Sequence, residues 1–150
     1  MLGSLAKWLR FLGFDTLYAL GDMMDDELMM VAKAEGRILI TRDKELVVRC
    51  KKQIIPVVHI DCDGVTDQLL QTIKETKVSI DNCRFLSRCS ECNCVLEGIE
   101  KAVIKDKVPK KVFDLHDDFL YCSSCKRVYW MGTHTDSILE KLLSLHAMRT

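Results

Sequence analysis

The segment Gly36-Arg-Ile-Leu-Ile-Thr-Arg-Asp43 decides the fold class of this chain. It begins with glycine, the residue that most often ends a helix, and it closes with aspartate, a residue type that caps the start of one. Between them lies a compact run of β-branched and apolar residues, which favours a strand. The segment therefore predicts the end of one helix at Gly36, a strand over residues 37–41, and a second helix from Asp43 to about Lys52.

The same alternation of helix and strand continues on both sides of this segment. Upstream, leucines at helical spacing predict an opening helix, residues 16–19 predict a short strand, and Asp25 or Asp26 caps the next helix. Downstream, residues 54–60 form another apolar run, and a further helix follows it. Strands and helices that alternate with short connections are typical of an α/β domain with a mostly parallel sheet, which we place at residues 1–82.

The pattern changes in the second half of the chain. From residue 83 onward, short strand-like pieces are separated by cysteine, glycine and proline, and the sequence closes with Ile138, Leu142 and Leu145 in phase on one helix face. We therefore predict a second, smaller domain at residues 83–150, which is rich in β-structure and ends in a helix.

Composition and charge exclude several classes of protein. The 150 residues are 48% apolar and 29% charged, which is typical of a globular protein and excludes a disordered or fibrous chain. Lys+Arg and Asp+Glu are both 22, so any nucleic-acid binding requires a local patch. No apolar run approaches the ~20 residues that span a bilayer, and no signal-peptide core is present. We expect no membrane association and an intracellular location, cytoplasmic or nuclear.

Two pairs of cysteines indicate a metal site. Cys89-Ser-Glu-Cys92 and Cys122-Ser-Ser-Cys125 are separated by 29 residues, a spacing that lets each pair hold one side of a tetrahedral ion. Four thiolates suit Zn²⁺, and four protein ligands leave no open position for water. The sequence therefore predicts a structural zinc that supplies part of the folding energy of the second domain.

Other interpretations of these cysteines stay open. A C-x-x-C pair also occurs in redox proteins, and cysteines of secreted proteins form disulfides, but two paired motifs without a signal peptide favour zinc. Cys94 lies two residues beyond Cys92 and could compete as a ligand, but a C-x-C step usually points the second thiol away from the pair, so we predict that it is a bystander. His116 and His134 are candidates for a fourth ligand if one cysteine does not bind.

Four aspartates follow the predicted strands. Asp25 and Asp26 come after the first strand, Asp43 after the second, and Asp61 after the third. Because the carboxyl ends of parallel strands meet at one edge of a sheet, these side chains are expected to lie together, and such a cluster favours Mg²⁺ or Mn²⁺ that could activate water for phosphodiester cleavage. The competing interpretation is that Asp25, Asp26 and Asp43 serve only as helix caps.

Taken together, several motifs along the chain resemble the mut-seven C-terminal RNase family. The resemblance covers nearly the whole sequence, and its motifs occur in order. They are Met1-Leu-Gly-Ser-Leu-Ala-Lys-Trp-Leu-Arg10, Asp25-Asp-Glu-Leu28, Gly36-Arg-Ile-Leu-Ile-Thr-Arg-Asp43, Ser87-Arg-Cys-Ser-Glu-Cys-Asn93, Val108-Pro109, His116-Asp-Asp-Phe119 and Tyr129-Trp-Met-Gly-Thr-His134.

The resemblance implies a PIN-like nuclease domain, with a mostly parallel sheet and flanking helices, fused to a zinc ribbon. Such modules occur alone in prokaryotes and at the end of some eukaryotic 3′–5′ exonucleases. Asp25 or Asp26 and Asp43 match the acidic positions of the family, and the four paired cysteines match its ribbon ligands.

The resemblance also implies residues that bind nucleic acid. Arg42 would lie beside the catalytic metal, where its guanidinium could contact a phosphate through two hydrogen bonds. Tyr129-Trp130 and His134 match the closing motif of the ribbon, where Trp130 and His134 could contact a base, although packing across the ribbon is the competing interpretation.

Two functions follow for this chain. Family members usually carry, upstream of the residues that match Met1-Leu-Gly3, a strand with a further aspartate, so we expect that a longer parent chain supplies it or that catalysis is impaired. The first function is a metal-dependent ribonuclease acting on RNA, and the second is a module that binds RNA or a protein partner.

A weaker option, a ribbon that acts on DNA, rests on four basic residues, Lys105, Lys107, Lys110 and Lys111. Such a run is also typical of a solvated surface.

Overall fold

The structure is a computed structural model that describes residues 2–19, 21–80, 84–132, 136 and 139–144. The chain forms two compact units. One combines Met1–Leu5 with Leu17–Ser79, and the other combines Ala6–Thr16 with Ile80–Thr150. Ala6–Thr16 thus belongs to the second unit, although the sequence places the boundary between the two domains after residue 82. The domain boundaries stay a prediction.

The first unit contains a small parallel sheet between helices, as the α/β pattern predicts. Strands β1 and β2 pair in parallel, with Leu39 opposite Val57 and Thr41 opposite His59. Buried side chains from three helix and strand segments form its core, which is made of Met29, Ala32, Leu39, Leu46, Cys50 and Ile55. The elements of this unit are α2 (Asp25–Glu35), β1 (Leu39–Thr41), α3 (Lys44–Lys52), β2 (Val57–His59) and α4 (Val65–Thr76), and they follow α1 (Gly3–Phe11), most of which belongs to the second unit.

Both ends of the segment 36–43 fold as the sequence predicts, but the strand between them covers only Leu39–Thr41 and not residues 37–41. Gly36 adopts the left-handed conformation, with φ of 64°, and the next backbone N–H, that of Arg37, donates to the carbonyl of Ala32 at 2.8 Å. The Asp43 carboxylate accepts from the backbone N–H of Glu45 at 2.8 Å and caps α3. Because both ends of this segment depend on local contacts, the sequence was enough to predict them.

The start of α2 differs from the prediction. Neither Asp25 nor Asp26 is its N-cap, because the helix begins at Asp25 and Met24 occupies the capping position. The Glu27 carboxylate accepts from the Met24 backbone N–H at 3.3 Å, which satisfies that donor and lets the helix start early. Asp25 and Asp26 therefore occupy the first turn, where the partial positive charge of the helix end favours carboxylates.

The strand predicted at residues 16–19 is wrong. This segment has no regular secondary structure in the described chain. The backbone N–H of Thr16 donates to the Asn93 side-chain oxygen at 3.0 Å, and Arg10 Nε donates to the Thr16 carbonyl at 2.8 Å. Side chains thus satisfy backbone groups that a neighbouring strand would otherwise pair.

The second unit contains an antiparallel sheet of three strands in the order β3-β4-β5. Residues 139–144 are helical, and Leu139 and Leu142 are buried. Ile138 and Leu145 of the predicted closing helix lie outside the described residues. The elements of this unit are β3 (Glu97–Ile99), a 3-10 helix (Lys101–Ile104), α5 (Lys110–Leu115), β4 (Phe119–Cys122) and β5 (Arg127–Tyr129).

Within the described ranges, no helix has both the length and the apolar character needed to cross a membrane.

Candidate functional site

The four paired cysteines converge in the second unit. The sulfurs of Cys89, Cys92, Cys122 and Cys125 all lie within 4.8 Å of one another, and the Cys92 and Cys122 sulfurs are 3.4 Å apart. A tetrahedral Zn²⁺ with bonds of about 2.3 Å to each thiolate requires sulfurs at this spacing. The donor set is therefore able to hold a structural metal such as zinc, as the cysteine spacing predicts.

The backbone folds similarly around both pairs. After the first pair, Asn93 adopts the left-handed conformation with φ of 71°, and its N–H donates to the Cys89 carbonyl at 2.9 Å. After the second pair, Lys126 has φ of 61°, and its N–H donates to the Cys122 carbonyl at 2.8 Å. Each tight turn brings the two sulfurs of its pair to the same side. Asn tolerates this conformation well, whereas Lys adopts it rarely, so the turn at Lys126 depends on its surroundings.

Hydrogen bonds shift the pKa values of Cys89 and Cys125 in opposite directions. Burial alone raises the pKa of Cys89, but the Tyr129 hydroxyl and the N–H groups of Cys92 and Glu91 outweigh it and lower the pKa of Cys89 to about 7. A hydrogen bond with Cys92, together with burial, raises the pKa of Cys125 to about 12. The site therefore favours a thiolate at Cys89. Because a bound metal replaces protons on the remaining thiols, its affinity is expected to rise with pH.

Tyr129 on β5 orients one metal ligand. Its hydroxyl lies 3.0 Å from Cys89 Sγ and 3.2 Å from the Ser90 hydroxyl. Groups that hydrogen-bond a ligand from outside the coordination shell fix its orientation and tune its basicity. In the sequence Tyr129 stands out only as part of a family motif, and its hydrogen bond spans 40 positions of the chain, so no local pattern could have indicated it.

Tyr129→Phe is expected to weaken zinc affinity by about 10–100-fold, because the variant removes the hydroxyl but keeps the ring. Competition with a chromogenic zinc chelator measures the change. Tyr121→Phe is the matched control, since the hydroxyl of Tyr121 makes no hydrogen bond in the described chain. Equal zinc affinity in both variants would contradict the assigned role of Tyr129.

Arg10 holds the loop between the first two cysteines. The residue is 8% exposed, and its guanidinium donates to the carbonyls of Ser90 at 2.9 Å and Glu91 at 3.2 Å. Asn93, which is also buried, donates to the carboxylate of Asp15 at 2.6 Å. Sequence reasoning missed these supports, because Arg10 lies 80 positions from its partner Ser90.

Cys94 and His116, two further candidates for this centre, do not belong to it. Cys94 is exposed and does not belong to the group of four, in agreement with its predicted role as a bystander. His116 also stands apart from the group, and His134 lies outside the described residues. All seven cysteines in the described part of the chain are free thiols.

The predicted acidic residues do not form a comparable cluster in the described chain. Pairing of Thr41 with His59 places Asp43 and Asp61 at equivalent positions, two residues beyond the carboxyl ends of β1 and β2. Among the described residues, the four cysteines are the only group of three or more potential ligands with atoms so close together. A catalytic role for the aspartates stays a prediction.

Asp25 and Asp26 are engaged by a basic side chain. Arg49 on α3 lies 3.5 Å from an Asp25 carboxylate oxygen and also pairs with the Asp26 carboxylate. This pair of carboxylates therefore has a protein counter-charge already. Arg49 is 42% exposed, so solvent weakens the ion pairs and a competing cation could displace them.

Arg42 lies at the same edge of the sheet and has partners of its own. Its guanidinium donates to the Cys62 carbonyl at 2.8 Å and to the Asp63 carboxylate at 2.9 Å. Asp63 is 96% exposed, so this ion pair is open to water and to competing anions. A cleft of about 320 Å³ borders Arg42 and Asp43. Contact between Arg42 and a phosphate stays a prediction.

Trp130 lies in the second unit, directly after β5. Its ring packs edge-on against Phe119, with ring centres 6.4 Å apart, which fits the packing interpretation. It also lines a pocket whose border carries Glu100, Asp117 and Asp118. Carboxylates repel phosphates, so base stacking on Trp130 stays a prediction that the local charge disfavours.

Comparison with known proteins identifies the family of this chain. The family model described as Mut7-C RNAse domain matches residues 1–142. No curated protein and no solved structure is found to match. The matched range includes both units nearly to the end of the chain, and it confirms the resemblance seen in the sequence motifs. The chain therefore belongs to the Mut7-C RNAse domain family.

Proposed function

We propose that the chain is a metal-dependent ribonuclease module that hydrolyses phosphodiester bonds of RNA, within a PIN-like domain and as part of a longer exonuclease. The observation that carries this proposal is the match of the Mut7-C RNAse domain to residues 1–142. The placement of Asp43 and Asp61 beyond the ends of two paired parallel strands supports it, because open α/β sheets bind ligands at that edge.

In this proposal some of the candidate residues hold the catalytic metal and one binds the phosphate. Asp43 and Asp61, with Asp25 or Asp26, would hold Mg²⁺ or Mn²⁺, and such an ion supplies a Lewis acid and lowers the pKa of bound water. Arg42 exchanges its exposed partner Asp63 for a phosphate oxygen of the RNA and so orients the bond to be cleaved.

The four-cysteine centre has a structural role in this proposal. With four protein ligands, zinc would have no free position for water, so it stabilises the second unit and takes no part in hydrolysis. Reduced cysteines that bind metal are typical of the cytoplasm or nucleus, which supports an intracellular location.

The second candidate is a module that binds RNA or a protein without cleaving. The ion pairs of Arg49 with Asp25 and Asp26 favour it, because they give these carboxylates a structural role. The option of a DNA-binding ribbon has less support. Lys107 packs over the ring of Tyr121 at 5.4 Å, so one of its four lysines is engaged by the protein surface.

Cleavage and binding assays on one single-stranded RNA separate the two candidates. We expect that Mg²⁺ or Mn²⁺ converts the labelled RNA to shorter products, that omission of both ions stops the reaction, and that the zinc content of the protein is the same in both samples. RNA that binds, as seen by fluorescence anisotropy, but stays intact with either ion would support the binding module instead.

A further inference from the structure

The second unit contains an aromatic pocket of about 510 Å³ that the proposed ribonuclease activity does not use. Phe119 on β4 is buried and forms its floor, and the half-buried ring of Trp130 stands against it. Gly98 and Ile99 of β3 line the opposite side. Beside Gly98 there is open space, since no atom beyond its chain neighbours lies within 4 Å of the position that a Cβ there would take.

The border of this pocket is negatively charged. Glu100, Asp117 and Asp118 line it, and all three are exposed. Lys101 pairs with Asp117 at 3.2 Å, and its ammonium also lies 4.8 Å from the centre of the Phe113 ring. Lys101 is paired with only one of the three carboxylates, so the border attracts cations and repels the phosphates of nucleic acid.

An aromatic wall with carboxylates beside it is complementary to a guanidinium group. The flat cation stacks on an indole face, while its N–H donors bond carboxylate oxygens in pairs. Lysine lacks this flat geometry and keeps its hydration more strongly. The volume of the pocket also exceeds one guanidinium, which leaves room for an apolar neighbour of the arginine against Phe119 and Ile99.

We propose that this pocket binds an arginine-bearing segment of a protein partner, with the guanidinium on Trp130 and between the carboxylates of Glu100 and Asp118. The proposal is independent of catalysis, since none of these residues belongs to the acidic edge of the first unit. It holds equally if the chain cleaves RNA or only binds it.

The two tryptophans of the chain give a direct test in the intact, zinc-loaded protein. The indole N–H resonances of ¹⁵N-labelled protein are followed while a blocked peptide with one arginine between two leucines is added. We expect the Trp130 signal to shift with saturation and the Trp8 signal to stay in place. The same peptide with citrulline, a neutral analogue of arginine, is expected to bind about tenfold or more weakly, because it loses charge-assisted hydrogen bonds.

Variants of the border test the role of charge. The double variant Glu100→Gln with Asp118→Asn is expected to weaken binding of the arginine peptide by about tenfold, whereas Asp114→Asn, an exposed carboxylate on α5 outside the pocket, leaves binding unchanged. A short oligouridylate is titrated in parallel. A Trp130 shift with this RNA but not with the peptide would assign the pocket to nucleic acid, and no shift with either ligand would overturn the proposal.

Discussion

Cys122→Ser is expected to remove the metal and to unfold the sheet of the second unit. Cys122 is fully buried at the end of β4, and its sulfur accepts from the Cys125 N–H at 3.3 Å. Serine offers no thiolate, so the site keeps only three metal ligands. Structural zinc contributes about 10–16 kcal/mol to the folding of small zinc domains. That amount is comparable with the usual stability of a whole domain, roughly 5–15 kcal/mol, so loss of the metal is expected to unfold the unit.

Elemental analysis and hydrogen exchange measure this effect. The parent chain is expected to contain one zinc and to protect the amides of β4, and the variant is expected to contain none and to exchange them rapidly. Cys94→Ser is the matched control, because Cys94 is exposed, lies two residues from Cys92 and does not belong to the group of four. A metal-free Cys122→Ser protein with a fully protected β4 would show that the ribbon folds without metal.

The sequence was sufficient where structure depends on neighbours along the chain. The turn at Gly36, the cap at Asp43 and the two cysteine pairs each involve residues a few positions apart, and all of them agree with the structure. The segment 16–19 has strand-forming residues, but the backbone carbonyl and N–H of Thr16 bond to the side chains of Arg10 and Asn93. The Asn93 contact spans 77 positions, which no periodicity can reveal.

The candidate catalytic residues were harder to judge for a different reason. Aspartate at a helix start is suited both to capping and to metal binding, so residue type alone cannot separate the two roles. The ion pairs of Arg49 with Asp25 and Asp26 connect α3 to the start of α2, a contact that depends on tertiary packing. The placement of Asp43 and Asp61 beyond the strand ends could be predicted from the sequence, whereas the ion pairs of Asp25 and Asp26 with Arg49 could not.

Asp43→Asn is expected to separate these two roles at one position. Asparagine caps a helix about as well as aspartate does, so α3 should keep its capping bonds to Glu45 and Leu46 and the melting temperature should change little. The negative charge that would hold Mg²⁺ or Mn²⁺ is lost. Because a catalytic metal contributes several kcal/mol to transition-state stabilisation, and each 1.36 kcal/mol is a factor of ten, we expect RNA cleavage to fall by about 100-fold or more.

Asp43→Ala gives the complementary result. Alanine removes both the charge and the cap, so it should lower the stability of the first unit by about 0.5–2 kcal/mol in addition to reducing cleavage. If Asp43 acts only as a cap, the asparagine variant cleaves RNA at the parent rate and the alanine variant loses activity only as far as it loses stability. If Asp43 holds the metal, both variants lose cleavage equally, although only the alanine variant is destabilised. Rates and melting temperatures of the same two proteins therefore decide which role Asp43 has.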